Sequence, residues 1–127
     1  MKNESPKIII DIDDTLTINN SSDNYSTKKI RPGVAEKIRE YRMNGYEIIF
    51  FSSRNMRTYN GDVSKINKNT LPILLEWLKE NEVEYDGIIM GKPWCGDGGF
   101  YVDDKSIRPD EFINLDEAQI QKLITNK

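Results

Sequence analysis

Ile8-Ile9-Ile10-Asp11-Ile12-Asp13-Asp14-Thr15-Leu16-Thr17 joins a β-branched apolar run to three carboxylates within four positions, followed by a hydroxyl. The run reads as a buried strand, Lys7–Ile12. A strand interior excludes unpaired charge, because burying a lone carboxylate costs several kcal/mol or shifts its pKa until it neutralises. The acids therefore belong where the strand leaves the sheet. Three carboxylates so close repel one another, and their density calls for a hard divalent cation such as magnesium.

Outward from that stretch, residues 1–6 are polar and read as a loose start. Asn19–Lys29 is rich in Asn and Ser and reads as a mobile loop or a short hairpin. Arg31-Pro32-Gly33 opens a helix whose buried stripe is Val34, Ile38 and Tyr41, with Gly45 placed to stop it. Tyr46–Phe51 is a second buried strand that runs into Ser52-Ser53-Arg54, and Asn55–Asn69 reads as a loop. Leu71, Leu74, Leu75 and Leu78 have amphipathic-helix spacing. Asp86–Met90 is a third strand, followed by Gly91-Lys92-Pro93-Trp94. A Gly-rich loop leads to a fourth strand, Phe100–Val102, ending in Asp103-Asp104. Phe112–Leu115 reads as an edge strand, and a last helix starts near Asp116.

Strands alternating with helices imply right-handed crossovers and an α/β fold: a Rossmann-like parallel sheet with helices on both faces. Ligands of such sheets bind outside the carboxyl ends of the strands. Asp11, Asp13 and Asp14, Ser52 and Ser53, Lys92, and Asp103 with Asp104 all lie at the C-terminal ends of predicted strands, so they are expected to converge on one edge.

The 127 residues suggest a single domain, 1–127. A net charge of −3 with no basic block argues against a nucleic-acid partner. The single cysteine, Cys95, precludes an internal disulfide and suits a reducing compartment. With no histidine, Ser-His-Asp and Cys-His catalysis are excluded, along with the commonest zinc ligand. No long apolar segment suggests a leader or a membrane span, so the expectation is a cytoplasmic protein.

Carboxylates bind magnesium; magnesium, lysine and hydroxyls together bind a phosphoryl group. One Asp can attack phosphorus while a second manages the proton. Taken singly, several of these residues have plainer readings. Ser52-Ser53 suits a turn, Lys92 a surface lysine, and Asp104 a partner for Lys105 or Arg108. Arg54 and Arg57 read as solvated, unless the anionic site beside them makes them substrate contacts.

Asp11-Ile12-Asp13-Asp14-Thr15, Ser52, Lys92 and Asp103-Asp104, in that order, resemble the four motifs of the haloacid dehalogenase-like phosphohydrolases, over about residues 7–105. The resemblance implies that Asp11 is nucleophile and metal ligand, and that Asp13 is the general acid/base, touching the metal through its backbone carbonyl. It implies that Ser52, with Ser53, and Lys92 hold phosphoryl oxygens. Asp103 would be the third magnesium ligand, and Asp104 direct, water-bridged or outer-shell. Thr15 would steady the loop after Asp13, and Arg54 lies among the candidate substrate contacts. The wording Gly91-Lys92-Pro93-Trp94 with Tyr101-Val102-Asp103-Asp104-Lys105 is similar to capsule-biosynthesis phosphatases. That narrower likeness implies a small phosphorylated metabolite, of sugar or polyol type, as substrate.

Many members of the superfamily carry a cap domain, but Leu16–Ile30 and Asn55–Gly91 are too short to hold one beside the elements they already contain. A capless site is open to large substrates or is closed by a neighbouring subunit in a homo-oligomer. Two rival functions remain. A phospho-accepting receiver domain needs an acceptor Asp ending a middle strand, and none is present. A catalytically silent binding module would be expected to lack Asp11 or Asp13, and both are present.

Overall fold

The computed structural model describes residues 4–18 and 24–126. The first five positions of the Asn19–Lys29 loop and the first three of the chain therefore lie outside the described residues. The chain forms two compact units, Met1–Trp94 and Cys95–Lys127.

The first unit holds a parallel sheet of three strands in the order β1 (Lys7–Ile10), β2 (Glu47–Ser52), β3 (Gly87–Met90). Ile10 pairs with Phe50 and Ser52 with Met90. Helix α1 (Val34–Met43) joins β1 to β2, and α2 (Val63–Asn69) with α3 (Leu71–Glu80) joins β2 to β3. Right-handed crossovers between strands in sequential order put these helices on one side of the sheet. Burial alternates accordingly: Ile10, Ile48, Phe50, Ser52 and Met90 are buried. The helices contribute Val34, Ile38, Tyr41, Ile66, Leu74, Trp77 and Leu78 to the same core. The odd-numbered face carries Ile9, Ile49, Phe51 and Ile89, and Ile9 and Ile89 are 55% and 53% exposed.

Four local expectations change. Asn55–Asn69 is not all loop, because Asp62 accepts a hydrogen bond from the Lys65 N–H and starts α2. Ile66 is that helix's only buried residue, so its apolar periodicity is too weak to announce it. In α3, Trp77 is buried while Leu75 is 40% exposed, a rotation of the apolar stripe relative to the leucine spacing.

In the second unit, Phe100–Val102 forms no strand; Phe100 and Val102 are 79% and 88% exposed. A three-residue apolar run leaving a turn (Gly99 N–H to Gly96 O, 3.3 Å) has too few ladder bonds to specify a strand alone. Phe112–Leu115 is not an edge strand, because α4 (Pro109–Asn114) occupies it, with Pro109 in the first turn and Phe112 buried. Helix α5 (Glu117–Thr125) starts where expected. Asp116 and Gln119 close a capping box, each accepting the other's backbone N–H at 2.8 and 2.9 Å.

Candidate active site

The apolar run ends at Ile10, and Ile12 and Leu16 then re-enter the core, both fully buried. Between them the chain makes a five-residue turn, Ile12–Leu16, closed by the Thr17 N–H to the Ile12 carbonyl at 3.1 Å. Two apolar anchors thus hold a loop whose polar positions are Asp11, Asp13, Asp14 and Thr15. Thr17 bridges antiparallel to Ile30, and the Ile18 N–H donates to the Lys29 carbonyl at 2.9 Å. Arg31 locks the turn from outside: its Nε donates to Thr15 O at 2.8 Å and its Nη2 to Asp14 O at 2.9 Å.

Strand β2 delivers Ser52, which is 1% exposed. Its carbonyl accepts the N–H groups of Gly91 and Lys92, each at 3.0 Å, so Lys92 leaves β3 beside the end of β2. Gly91 makes this turn at φ +97°, where a Cβ would sit 3.0 Å from Val63 Cγ2. Lys92 Nζ then reaches Asp11 Oδ1 at 3.4 Å. Thr15 Oγ1 donates to Asp11 Oδ2 at 3.1 Å, so Thr15 steadies the nucleophile candidate itself. Burial pushes the Asp11 carboxyl above its ordinary value, while Lys92 and the Thr15 hydroxyl pull it back in part.

Asp13 is held differently. Arg54 Nε donates to its Oδ2 at 3.1 Å and Arg54 Nη2 to its Oδ1 at 2.8 Å. Lys28 Nζ lies 4.0 Å from the same Oδ1. The Arg54 guanidinium packs on the Tyr25 ring, 4.2 Å from its centroid, and the Arg54 N–H donates to Ser52 Oγ at 3.0 Å. Burial, and then the Asp13 charge, raise the Tyr25 phenol above its ordinary value. Arg54 is not solvated, as its place in a polar loop suggested: it is 3% exposed. Tyr25, Lys28 and Arg31 carried no signal in the sequence, since each sits in a polar stretch and acquires its partner only through folding.

The first unit therefore unites Asp11, Asp13, Thr15, Ser52, Arg54 and Lys92 at the carboxyl ends of β1, β2 and β3. Ser53 is half-buried next to Ser52, and its carbonyl accepts the Met56 N–H at 3.0 Å. Asp103 and Asp104 belong to the second unit, where both are exposed and the Lys105 N–H donates to Asp103 Oδ1 at 2.9 Å.

Among the described residues, no group of three His, Cys, Asp or Glu side chains gathers as a metal cage. Each acid has its own surroundings: Lys92 pairs with Asp11, Arg54 and Lys28 pair with Asp13, and Asp14 is exposed, while the Asp13 charge adds a small upward push to the Asp11 carboxyl. Magnesium is bound through one or two carboxylates, with substrate phosphate and water completing its shell. The hard oxygens of the Asp11 carboxylate and the Asp13 carbonyl fit that requirement. In chemical terms the site pairs one partly buried carboxylate beside a lysine with a second carboxylate gripped by an arginine, next to a buried hydroxyl. Such a set can attack phosphorus, move a proton and hold phosphoryl oxygens.

The profile of the family described as PITM 1-3, LNS2 domain, matches residues 8–89. The chain is similar to the crystal structure of an MCSG target from Vibrio cholerae, at 48% identity and a TM-score of 0.89, over 94% of this chain and 96% of that one. It shares its fold with a chain of the Pnkp1/Rnl/Hen1 complex, at 22% identity and a TM-score of 0.50, over 90% of this chain and 36% of that one. A search of curated proteins found no match.

Proposed function

Since the chain belongs to the LNS2-domain family, a phosphatase-like family of the haloacid dehalogenase type, we propose that it is a magnesium-dependent phosphatase that hydrolyses a phosphate monoester through an aspartyl-phosphate. The observation that carries this reading is Asp11 at the end of β1, with Lys92 Nζ 3.4 Å from one carboxylate oxygen and the Thr15 hydroxyl on the other.

Lys92, Ser52 and Ser53 hold the phosphoryl oxygens. Asp13 takes up a proton as the substrate binds; Asp11 attacks phosphorus, the ester P–O bond breaks, and Asp13 gives that proton to the departing alkoxide. Asp13 then takes a proton from a water that attacks the aspartyl-phosphate, releasing inorganic phosphate and restoring Asp11. Magnesium, held by Asp11, the Asp13 carbonyl and Asp103, would supply charge stabilisation for the phosphoryl oxygens. Asp104 is then a direct, water-bridged or outer-shell neighbour. The substrate we propose is a small sugar or polyol phosphate of surface-polysaccharide synthesis in the cytoplasm. That part rests on the wording of residues 91–94 and 101–105 alone. Without a cap, the loops Asn19–Lys29, Arg54–Tyr59 and Trp94–Gly99 are the candidate specificity elements.

A screen of sugar, polyol, amino-alcohol and nucleotide monoesters with magnesium tests the reading, with Asp11→Asn as control. Phosphate release is expected from a sugar or polyol ester and is expected to vanish in Asp11→Asn. Turnover retained by that variant would remove Asp11 as nucleophile. The receiver alternative gains nothing here, since β2 ends in Ser52 rather than an acceptor Asp.

A further inference from the structure

Arg54 is buried more completely than charge neutralisation requires. Lys28 already stands 4.0 Å from Asp13 Oδ1, so a cation is supplied without it. Arg54 nevertheless occupies both Asp13 oxygens with a two-pronged fork, at 3.1 and 2.8 Å. Its ring-face contact with Tyr25 and its backbone bond to Ser52 Oγ fix the fork from two further directions. Its remaining nitrogen, Nη1, is buried and has no hydrogen-bond partner among the described residues. An unpaired buried donor on a charged group is a cost that burial for stability would avoid. A planar fork differs from a lysine in fixing the plane of a carboxylate, not only its charge.

We propose that Arg54 is the positioning residue of Asp13: its fork holds the Asp13 carboxylate in one orientation for proton transfer, and Tyr25 is the wall that keeps the fork in place. The kinetic consequence rests on the phosphatase reading above; the clamp is a property of the folded chain.

Two measurements on the full chain test this. The first is nitrogen NMR of the Arg54 side chain. Separate, slowly rotating Nη–H signals are expected in the wild type and a freely rotating guanidinium in Asp13→Asn. Free rotation in the wild type overturns the proposal whatever the activity. The second is steady-state kinetics with para-nitrophenyl phosphate. Arg54→Lys keeps the charge and loses the fork, so kcat is expected to fall roughly 10- to 100-fold. KM is expected to stay within about twofold, the pattern of an interaction made in the transition state. Added guanidinium at millimolar level is expected to restore part of the activity of Arg54→Ala. A raised KM at unchanged kcat would make Arg54 a substrate ligand and overturn the proposal, as would full activity in Arg54→Lys. If the wild type turns over no monoester, the phosphatase reading fails, and the NMR result alone decides whether the clamp stands.

Discussion

Asp14 stands at φ 63° and ψ 12°; its N–H donates to Thr17 Oγ1 at 3.1 Å and its carbonyl accepts from Arg31. Its side chain is exposed, so the third acid of the opening run serves the backbone, supplying a residue type that tolerates the left-handed region. Asp14→Asn is expected to leave activity and urea stability unchanged, whereas Asp14→Val is expected to cost about 1–2 kcal/mol in urea unfolding. Asp13→Asn is expected to lower turnover by about 10²–10⁴-fold, the range of a lost general acid/base, or to let aspartyl-phosphate accumulate; near wild-type rates would remove its role. As the proposed nucleophile, Asp11 would have to be ionised to attack, and burial raises its pKa above the ordinary 3.8. With Asp11 in that role, the acid limb of kcat/KM is therefore expected above 3.8 and moves to lower pH as magnesium is raised. In metal-free protein the folded state binds that proton more tightly than the unfolded state. Stability is then lost as pH rises from 3.8 through the raised value.

Helix α1 and strand β3 are tied by Arg42, whose Nη2 and Nε reach Asp86 at 2.7 and 3.2 Å and whose Nη1 reaches Glu84 at 2.7 Å. Asp86 also accepts the Ile48 N–H at 2.8 Å, which sets where β3 joins β2. The hydrogen bond from Arg42, and then that from Ile48, holds the Asp86 carboxyl below its ordinary 3.8. A depressed folded pKa contributes stability above the unfolded value that disappears as pH falls through the folded one. Asp86→Asn is expected to cost on the order of 1 kcal/mol at neutral pH and to flatten the loss of stability below pH 3.8, read by urea melts across pH. The loop from Asn55 to Gly61 is tied in the same manner, through Thr70 Oγ1 donating to Asn55 Oδ1 at 2.7 Å. That bond fastens the segment after Arg54 to the junction of α2 and α3. Both ties join positions distant in sequence through polar atoms, a kind of contact that periodicity does not record.

Taken as a chain, the protein places Asp11, Asp13, Ser52, Ser53 and Lys92, the proposed catalytic and phosphate-holding residues, in the first unit, and the acid pair Asp103-Asp104 in the second. Magnesium is the test of whether they act together. Excess chelator is expected to abolish turnover, and full turnover in chelator would remove the metal. Asp103→Asn is expected to raise the magnesium concentration for half-maximal rate at least about tenfold, a loss of roughly 1.4 kcal/mol in cation binding. An unchanged magnesium dependence would take Asp103 out of the metal site. No helix of the described residues is long and apolar enough to cross a membrane.

Residue order alone carried the parallel α/β core and the strand-end location of Asp11, Asp13, Ser52 and Lys92. Apolar runs, the exclusion of charge from a strand and the handedness of crossovers are local or topological rules that hold without coordinates. The same rules misjudged Phe100–Val102 and Phe112–Leu115, where short apolar runs lack the length to choose between strand, helix and loop. Folding decided the electrostatics. Asp13 and Arg54 are 41 positions apart, and Asp11 and Lys92 are 81 apart. A charged side chain can be buried only beside its partner, so the fate of Arg54, solvated in its own stretch of sequence, was set by the carboxylate that the sheet brought to it.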